Sequence, residues 1–406
     1  ENYRDASSPE AKYSYLCAYF VNMHFYDTFL ACYGWEGAAL AGAMLVMLAV
    51  QLYYYIGVYG RIAGYRDSRR AATRSEEPPV SVVVPLFSED YSFVEERLPL
   101  ILAQNYSVFE VIIVYVGHDS DFYEDLSQLK GTFPQIFTTK IQLDPRFPIS
   151  RKMALNVGIK SAHYEHLVFT STDAVPQSDR WLALMAKGFT RGEIVVGYCG
   201  MEYGKGFTPY MMRVWRMMHS ANWIARAVRH RPYRGTLHNF GFTKSLYFGV
   251  NGFSHLNMNI GEDDLFMQRV MRRDNVSVIL SPRATLREKR WGGMRWWMSQ
   301  LRYFGSAFRF YPAAVRSFVG WEIGSRSLFF FSVLAALAVM PVEYKLAALL
   351  LLLVRYAVVV IEVRRVAARL GEAGIAGRYF IYDLLSPLWE AALRIMLLRR
   401  DERVWR

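Results

Sequence analysis

The chain has 406 residues, with 48 Lys and Arg against 36 Asp and Glu, a formal net charge of +12, 53% hydrophobic residues and 16% aromatics. That composition excludes a disordered or collagen-like chain, and the clumping of the apolar residues argues against an ordinary soluble enzyme. Cys17, Cys32 and Cys199 are too few for a disulfide framework, and no CxxC pair suggests zinc. The positive balance fits an anionic membrane surface or anionic substrates. No nucleic-acid-binding motif accompanies it, so no nucleic-acid partner is expected.

Residues 1–36 form an aromatic segment that suits a membrane surface. Gly37 to Gly60 carries no charged residue, and at about 1.5 Å per residue it can cross a hydrocarbon core of about 30 Å. Arg61, Arg66, Arg69, Arg70 and Arg74 follow at once, which puts the next stretch of chain in the cytoplasm and the N-terminus outside. A cleaved signal peptide is not expected, since no basic stretch precedes the apolar run. Residues 61–79 read as a linker ending in Glu76-Glu77-Pro78-Pro79.

An α/β alternation fills residues 80–310. Val80–Leu86 (VSVVVPL) is a β-branched run and predicts a buried strand. Residues 92–104 predict a helix, Glu110–Val116 a second strand, Lys140–Leu143 a third, Ser150–Ala162 a helix and His166–Ser171 another strand. Strand–helix–strand repeats imply parallel pairing with right-handed crossovers. A second apolar block, 327–361, is interrupted at Pro341-Val342-Glu343-Tyr344-Lys345 and predicts a hairpin of two spanning helices; a re-entrant or interfacial hairpin is the alternative, because the second arm carries Arg355. Arg364, Arg365 and Arg369 open a cytoplasmic tail, 362–406, in which 384–398 is amphipathic and suited to the membrane surface.

Ligands of parallel sheets bind beyond the carboxyl ends of the strands. Three acidic clusters fall in such places or at a helix start: Glu89-Asp90 after the first strand, Asp173 after the strand ending near Ser171, and Glu262-Asp263-Asp264 after Gly261. Taken singly, each also reads as a helix cap, a turn or a helix-dipole complement.

Their order along the chain resembles the membrane-anchored family-2 glycosyltransferases with the GT-A fold. Val84-Pro85-Leu86-Phe87-Ser88-Glu89 is similar to the motif that ends their first strand, and Lys152-Met153-Ala154-Leu155-Asn156-Val157-Gly158-Ile159 to their donor-helix motif. Ser171-Thr172-Asp173 aligns with their metal-binding D-x-D, Asn251-Gly252-Phe253 with a glycine turn, and Glu262-Asp263 with their catalytic E-D pair. Ser299-Gln300-Leu301-Arg302-Tyr303 falls on Q-x-x-R-W.

The resemblance implies a GT-A domain with a mixed, mostly parallel sheet, one N-terminal and two C-terminal transmembrane helices, and sugar transfer from a nucleotide diphosphate sugar, a UDP-sugar by precedent, with inversion. The acceptor is expected to be a lipid-linked or cell-envelope glycan at the cytoplasmic face of the inner membrane. Asp263 is the expected general base, with Glu262 and Asp264 as the neighbouring choices. Pro85, Phe87, Glu89, Lys152, Asn156, Ser171, Thr172 and Asp173 are expected around the nucleotide sugar, and Asn239, Gln300, Arg302 and Tyr303 around acceptor and diphosphate. Asp173 is the expected ligand of Mg²⁺ or Mn²⁺.

The chain departs from the pattern in three places. The base-binding aspartate after the second strand is replaced in Val114-Tyr115-Val116-Gly117-His118, the first Asp of D-x-D is Ser171, and the Gln and Trp of Q-x-x-R-W are Ser299 and Tyr303. These leave open a binding or scaffold protein that has lost catalysis. A processive polysaccharide synthase is the third alternative.

Overall fold

All seven residues of Val80–Leu86 are buried in the first strand, β1, as the β-branched run predicts. A computed structural model describes residues 37–66, 77–142, 150–254, 262–289 and 292–398. The aromatic segment 1–36, linker residues 67–76, Leu143, Gly261 and residues 399–406 lie outside the described residues, as do the side chains of Glu262 and Asp263.

Helix α1 (residues 37–52) passes through a π segment, Tyr53–Tyr59, into α2 (Gly60–Gly64). After β1, a π turn (Phe93–Arg97) and α3 (Leu98–Leu102) lead to β2 (Phe109–Val116), α4 (Ser120–Thr132), β3 (Ile136–Ile141), α5 (Arg151–Ser161) and β4 (His166–Phe169). Then come β5 (Ala174–Pro176), α6 (Trp181–Gly188), β6 (Ile194–Val196), β7 (Cys199–Met201), α7 (Phe207–Val228), β8 (Phe240–Thr243) and α8 (Lys244–Gly249). The chain continues with α9 (Glu262–Val270), β9 (Val276–Val278), β10 (Leu286–Glu288) and α10 (Met294–Ser306), and closes with α11 (Ala313–Val339), α12 (Val342–Arg369) and α13 (Tyr379–Leu398).

Seven strands form one sheet in the order β3-β2-β1-β4-β8-β6-β9. Pairing is parallel except where β8 runs antiparallel to β4 and β6. A small second sheet, β5-β10-β7, places β10 antiparallel to β5 and parallel to β7. Helix α5 lies so close to β1 and β2 that a Cβ on Gly158 would come within 2.6 Å of Val83 and 3.1 Å of Val114. The third strand starts earlier than expected. Ile136 enters register opposite Val111, and the half-exposed edge tolerates Thr138 and Thr139, which a search for apolar runs passes over.

Three helices, Gly37–Gly64, Ala313–Val339 and Tyr344–Arg369, are long and apolar enough to cross a membrane. The expected break at 341–345 shrinks to Met340-Pro341, because proline is compatible with a first helical turn and its carbonyl accepts the Lys345 N–H at 3.0 Å. Helix α11 also starts well before residue 327 and takes in Arg316, Glu322 and Arg326.

By contacts the described residues form two units, 37–52 with 322–356, and 53–321 with 357–398. In the first, Met44 and Leu48 pack with Phe329, Phe330, Val333, Ala336, Met340 and Ala348. It also buries a polar layer. Gln51 donates to Ser325 Oγ at 2.7 Å and to the Glu322 carbonyl at 3.0 Å, and it accepts from Arg355 at 3.0 Å. The Arg355 guanidinium is fully buried over Phe330 at 4.9 Å, Phe329 at 5.4 Å and Tyr356 at 5.5 Å, and Arg326 pairs with Glu322. In the second unit, α13 buries Tyr379, Tyr382, Asp383 and Ser386, and exposes Phe380, Leu384, Leu388 and Ile395 along one stripe.

Candidate active site

The sheet order reverses at β1, which has β2 on one side and β4 on the other. A crevice at such a switch point is where open α/β sheets bind ligands. The Val83↔Phe169 register ends β4 opposite the middle of β1, which runs on to Leu86, and Pro85 sits opposite Val114 of β2. Phe87, 47% exposed, packs against no other ring among the described residues. Glu89 is exposed and accepts a hydrogen bond from the buried Tyr115 hydroxyl. Burial first, then the Glu89 bond, pushes the Tyr115 phenol up to about 12. The hydroxyl therefore stays protonated and pins one carboxylate oxygen while the other stays in solvent. Asp90 is used locally instead. It caps the next turn through the Phe93 N–H at 2.9 Å and pairs with Arg97 at 2.7 Å.

At the end of β4, the hydroxyls of Thr170 and Ser171 are buried and lack hydrogen-bond partners among the described residues. Ser171, Thr172 and Asp173 are half-buried. The Asp173 carbonyl accepts the Lys289 N–H at 2.9 Å, so the end of β10 holds this turn. Asp173 with two neighbouring hydroxyls is an all-oxygen donor set, which suits a hard divalent cation. No three His, Cys, Asp or Glu side chains gather as metal ligands among the described residues.

Ser150 caps α5, accepting from the Met153 N–H at 3.4 Å. Lys152 and Asn156 stand on the outer face of this helix with Met153 and Lys160, and Asn156 accepts from Tyr247 at 3.1 Å. These residues, with Tyr247, Phe248 and the 251–254 turn, line a cleft of about 1030 Å³. The turn needs left-handed backbone at Asn251 (φ 59°) and Gly252 (φ 54°), and a Cβ on Gly252 would lie 2.4 Å from the Tyr247 ring.

Helix α10 carries Gln300, Arg302 and Tyr303. Arg302 is exposed and Gln300 half-buried. Tyr303 accepts from Arg151 at 3.3 Å, which brings α10 to the start of α5. The next residue, Phe304, is the anchor. The Arg216 and Arg234 guanidiniums lie over its ring at 4.9 and 5.1 Å, and His219 is 5.4 Å away. Burial, then Arg234 and Arg216, holds the His219 pKa well below its usual value, so the ring is neutral.

Two expected site residues are committed to the fold. Asn239 is 1% exposed; its amide donates to the Tyr198 and Ala284 carbonyls at 2.8 and 2.9 Å and accepts from Trp181 at 3.0 Å. Asp264 is 2% exposed, 2.8 Å from Arg234, and accepts from Tyr311 at 2.8 Å. That pairing fixes the first turn of α9, where Glu262 and Asp263 precede it. Three residues that no motif marks as site residues also take part: Tyr115, Arg151 and Glu288 of β10, which binds Arg216 at 2.7 Å and has His238 at 3.8 Å. Tyr115 and Arg151 were within reach, since each flanks or replaces a motif residue. Glu288 offered no local signal.

No protein-family model matches the sequence, and no curated protein matches it. Among solved structures, a mannosyltransferase from Pyrobaculum calidifontis in complex with GDP-Man and Mn²⁺ is similar with a TM-score of 0.54 and 17% identity, over 86% of this chain and 99% of that chain. TarS 1–349 from S. aureus in complex with UDP-GlcNAc has a TM-score of 0.39 and 14% identity, over 74% of this chain and 91% of that chain. A mycobacterial protein has a TM-score of 0.39 and 15% identity, over 62% of this chain and 83% of that chain. The last two likenesses are too loose to establish a shared fold. The first establishes it: the chain has a glycosyltransferase fold, α/β with a mixed, mostly parallel sheet, together with three helices able to cross a membrane.

Proposed function

We propose that this chain is a membrane-bound, inverting family-2 glycosyltransferase. It moves a sugar from a nucleotide diphosphate sugar to a hydroxyl of a lipid-linked or cell-envelope glycan at the cytoplasmic face. The observation that carries the reading is the β1/β4 switch point of a glycosyltransferase fold, with Glu89 and the Ser171–Asp173 turn just beyond the two strands and Tyr303 against the start of α5.

The base lies at the Phe87–Glu89 corner, where an exposed ring stacks on it and the free Glu89 oxygen accepts a base N–H. Uracil offers one such donor beside its carbonyls and guanine offers two, so a panel of UDP- and GDP-sugars decides the nucleotide. Lys152 offsets diphosphate charge. Arg302 and Gln300 face the diphosphate or a lipid phosphate. Asp173 would hold Mg²⁺ or Mn²⁺, which stabilises a departing diphosphate when bound. Asp263 takes the proton of the acceptor hydroxyl. The acceptor oxygen bonds to the anomeric carbon, the bond to the diphosphate oxygen breaks, and its electron pair leaves with the diphosphate, inverting that carbon.

The test is release of nucleotide diphosphate by purified protein with the sugar panel, a lipid acceptor extract and Mn²⁺. Asp263→Asn is expected to lose at least about 10²-fold in kcat, and Asp173→Ala to raise the Mn²⁺ requirement. Full rates in both variants would remove the assignment, and a wild type inert to every sugar would remove the function.

A further inference from the structure

Helix α12, the last of the three apolar helices, ends in a loop, Gly371-Glu372-Ala373-Gly374-Ile375, with left-handed glycines at 371 (φ 71°) and 374 (φ 75°). The Glu372 side chain is completely buried. It binds Arg213 of α7 at 2.7 Å, Arg287 of β10 at 3.0 Å and the Tyr198 hydroxyl at 2.9 Å. The loop backbone is held as well: Arg287 donates to the Gly371 carbonyl at 2.6 Å, Arg213 to Ala373 at 3.0 Å, Tyr203 to Gly371 at 3.0 Å and Tyr210 to Ile375 at 2.8 Å. The Tyr203 ring covers both guanidiniums, at 4.1 and 4.2 Å. Gly200 leaves room for the carboxylate, since a Cβ there would stand 2.4 Å from it.

Two buried guanidiniums thus share one carboxylate. Burying charge is unfavourable unless it is paired, so without Glu372 the two cations would repel each other in a low-dielectric site. Arg287 is a residue of β10 itself, and its guanidinium is tied at once to Glu372, the Gly371 carbonyl and the Met201 carbonyl. On that strand the next residue, Glu288, lies in register with Ala174, and the Lys289 N–H holds the Asp173 carbonyl at 2.9 Å.

We propose that Glu372 is a positioning residue: as the shared counter-ion of Arg213 and Arg287, it sets β10 and, through β10, the Asp173 turn. The proposal rests on the reading of Asp173 as a metal ligand for sugar transfer. It makes the loop that follows the last apolar helix part of the apparatus that prepares the site.

The test compares wild type, Glu372→Gln, Glu372→Asp and the double variant Glu372→Gln/Arg213→Met as full-length protein in detergent. Two readouts are taken: hydrogen–deuterium exchange of the peptides spanning Asp173–Pro176 and Leu286–Lys289, and the Mn²⁺ dependence of nucleotide-sugar turnover. Glu372→Gln is expected to speed exchange in both peptides at least tenfold and to raise the apparent KM for Mn²⁺ at least tenfold, with kcat within threefold. Glu372→Asp should recover most of both effects, and Arg213→Met should recover them in the double variant by removing the surplus cation. Unchanged exchange and unchanged Mn²⁺ dependence in Glu372→Gln would overturn the proposal. So would a double variant no better than the single one, which would make Glu372 a generic packing residue. If the single variant fails to fold, the double variant still decides. A wild type that turns over no nucleotide sugar, with Glu372→Gln still speeding exchange in both peptides, would retire the transferase reading and leave the positioning role standing.

Discussion

At the residue scale, Tyr115 occupies the place where the resemblance calls for an aspartate, and it serves the neighbouring carboxylate. Its protonated hydroxyl holds Glu89, and so aims the free oxygen of that carboxylate. Tyr115→Phe loses one hydrogen bond to a charged group, about 1.5–3 kcal/mol of interaction. Titration calorimetry is expected to show nucleotide affinity falling about tenfold, with kcat little changed. An unchanged affinity would detach the pair from base recognition. His219 gives a pH prediction. Its folded pKa is depressed while the unfolded imidazole titrates near about 6.5, so the unfolded state binds the extra proton. The stability from keeping this ring neutral is complete above about pH 6.5 and is lost as pH falls from there toward the folded value. His219→Gln keeps an acceptor for Arg234, which lies 2.8 Å from the ring nitrogen, and should flatten the fall in Tm between pH 7.5 and pH 5. A variant as acid-sensitive as wild type would point to other groups.

At the scale of elements, what could be read in the sequence follows from where each residue's partners lie. β1, β2, α5 and β4 were legible because their patterns are local: buried β-branched runs and a capped helix bounded by turn residues. Strands β5, β6, β7, β9 and β10 are three residues each and owe their existence to distant pairing, so no run of three announces them. Asn239 shows the same limit. The resemblance sets it near acceptor and diphosphate, whereas its partners, Trp181, Tyr198 and Ala284, come from three separate parts of the chain. Gly158 tests the opposite case, where a motif residue has a purely steric reason. Gly158→Leu would push α5 off β1 and is expected to cost about 1–3 kcal/mol of stability, read as a lower denaturation midpoint. It should also weaken nucleotide binding, since Lys152 and Asn156 ride on the same helix; intact stability would refute the close-packing account.

For the whole molecule, the polar layer in the apolar unit decides how its helices tolerate change. Arg355 has no exposed surface, and Gln51 links it to Glu322 and Ser325. Gln51→Leu strips one partner from a buried cation and should lower the detergent Tm, by about 1–3 kcal/mol of lost interaction. Adding Arg355→Met removes the buried charge and should restore part of that loss, so the two substitutions are non-additive; simple additivity would show that they act independently. Glu372 carries a further consequence, for biogenesis. Tyr198, Arg213 and Arg287 leave the ribosome long before it does, and both C-terminal apolar helices are translated in between. The arginine pair therefore lacks this carboxylate until both of those helices have been made. A chain cut short before residue 372 is thus expected to hold an unfinished globular part, and proteolysis of such truncations against the full chain measures how late that part is completed.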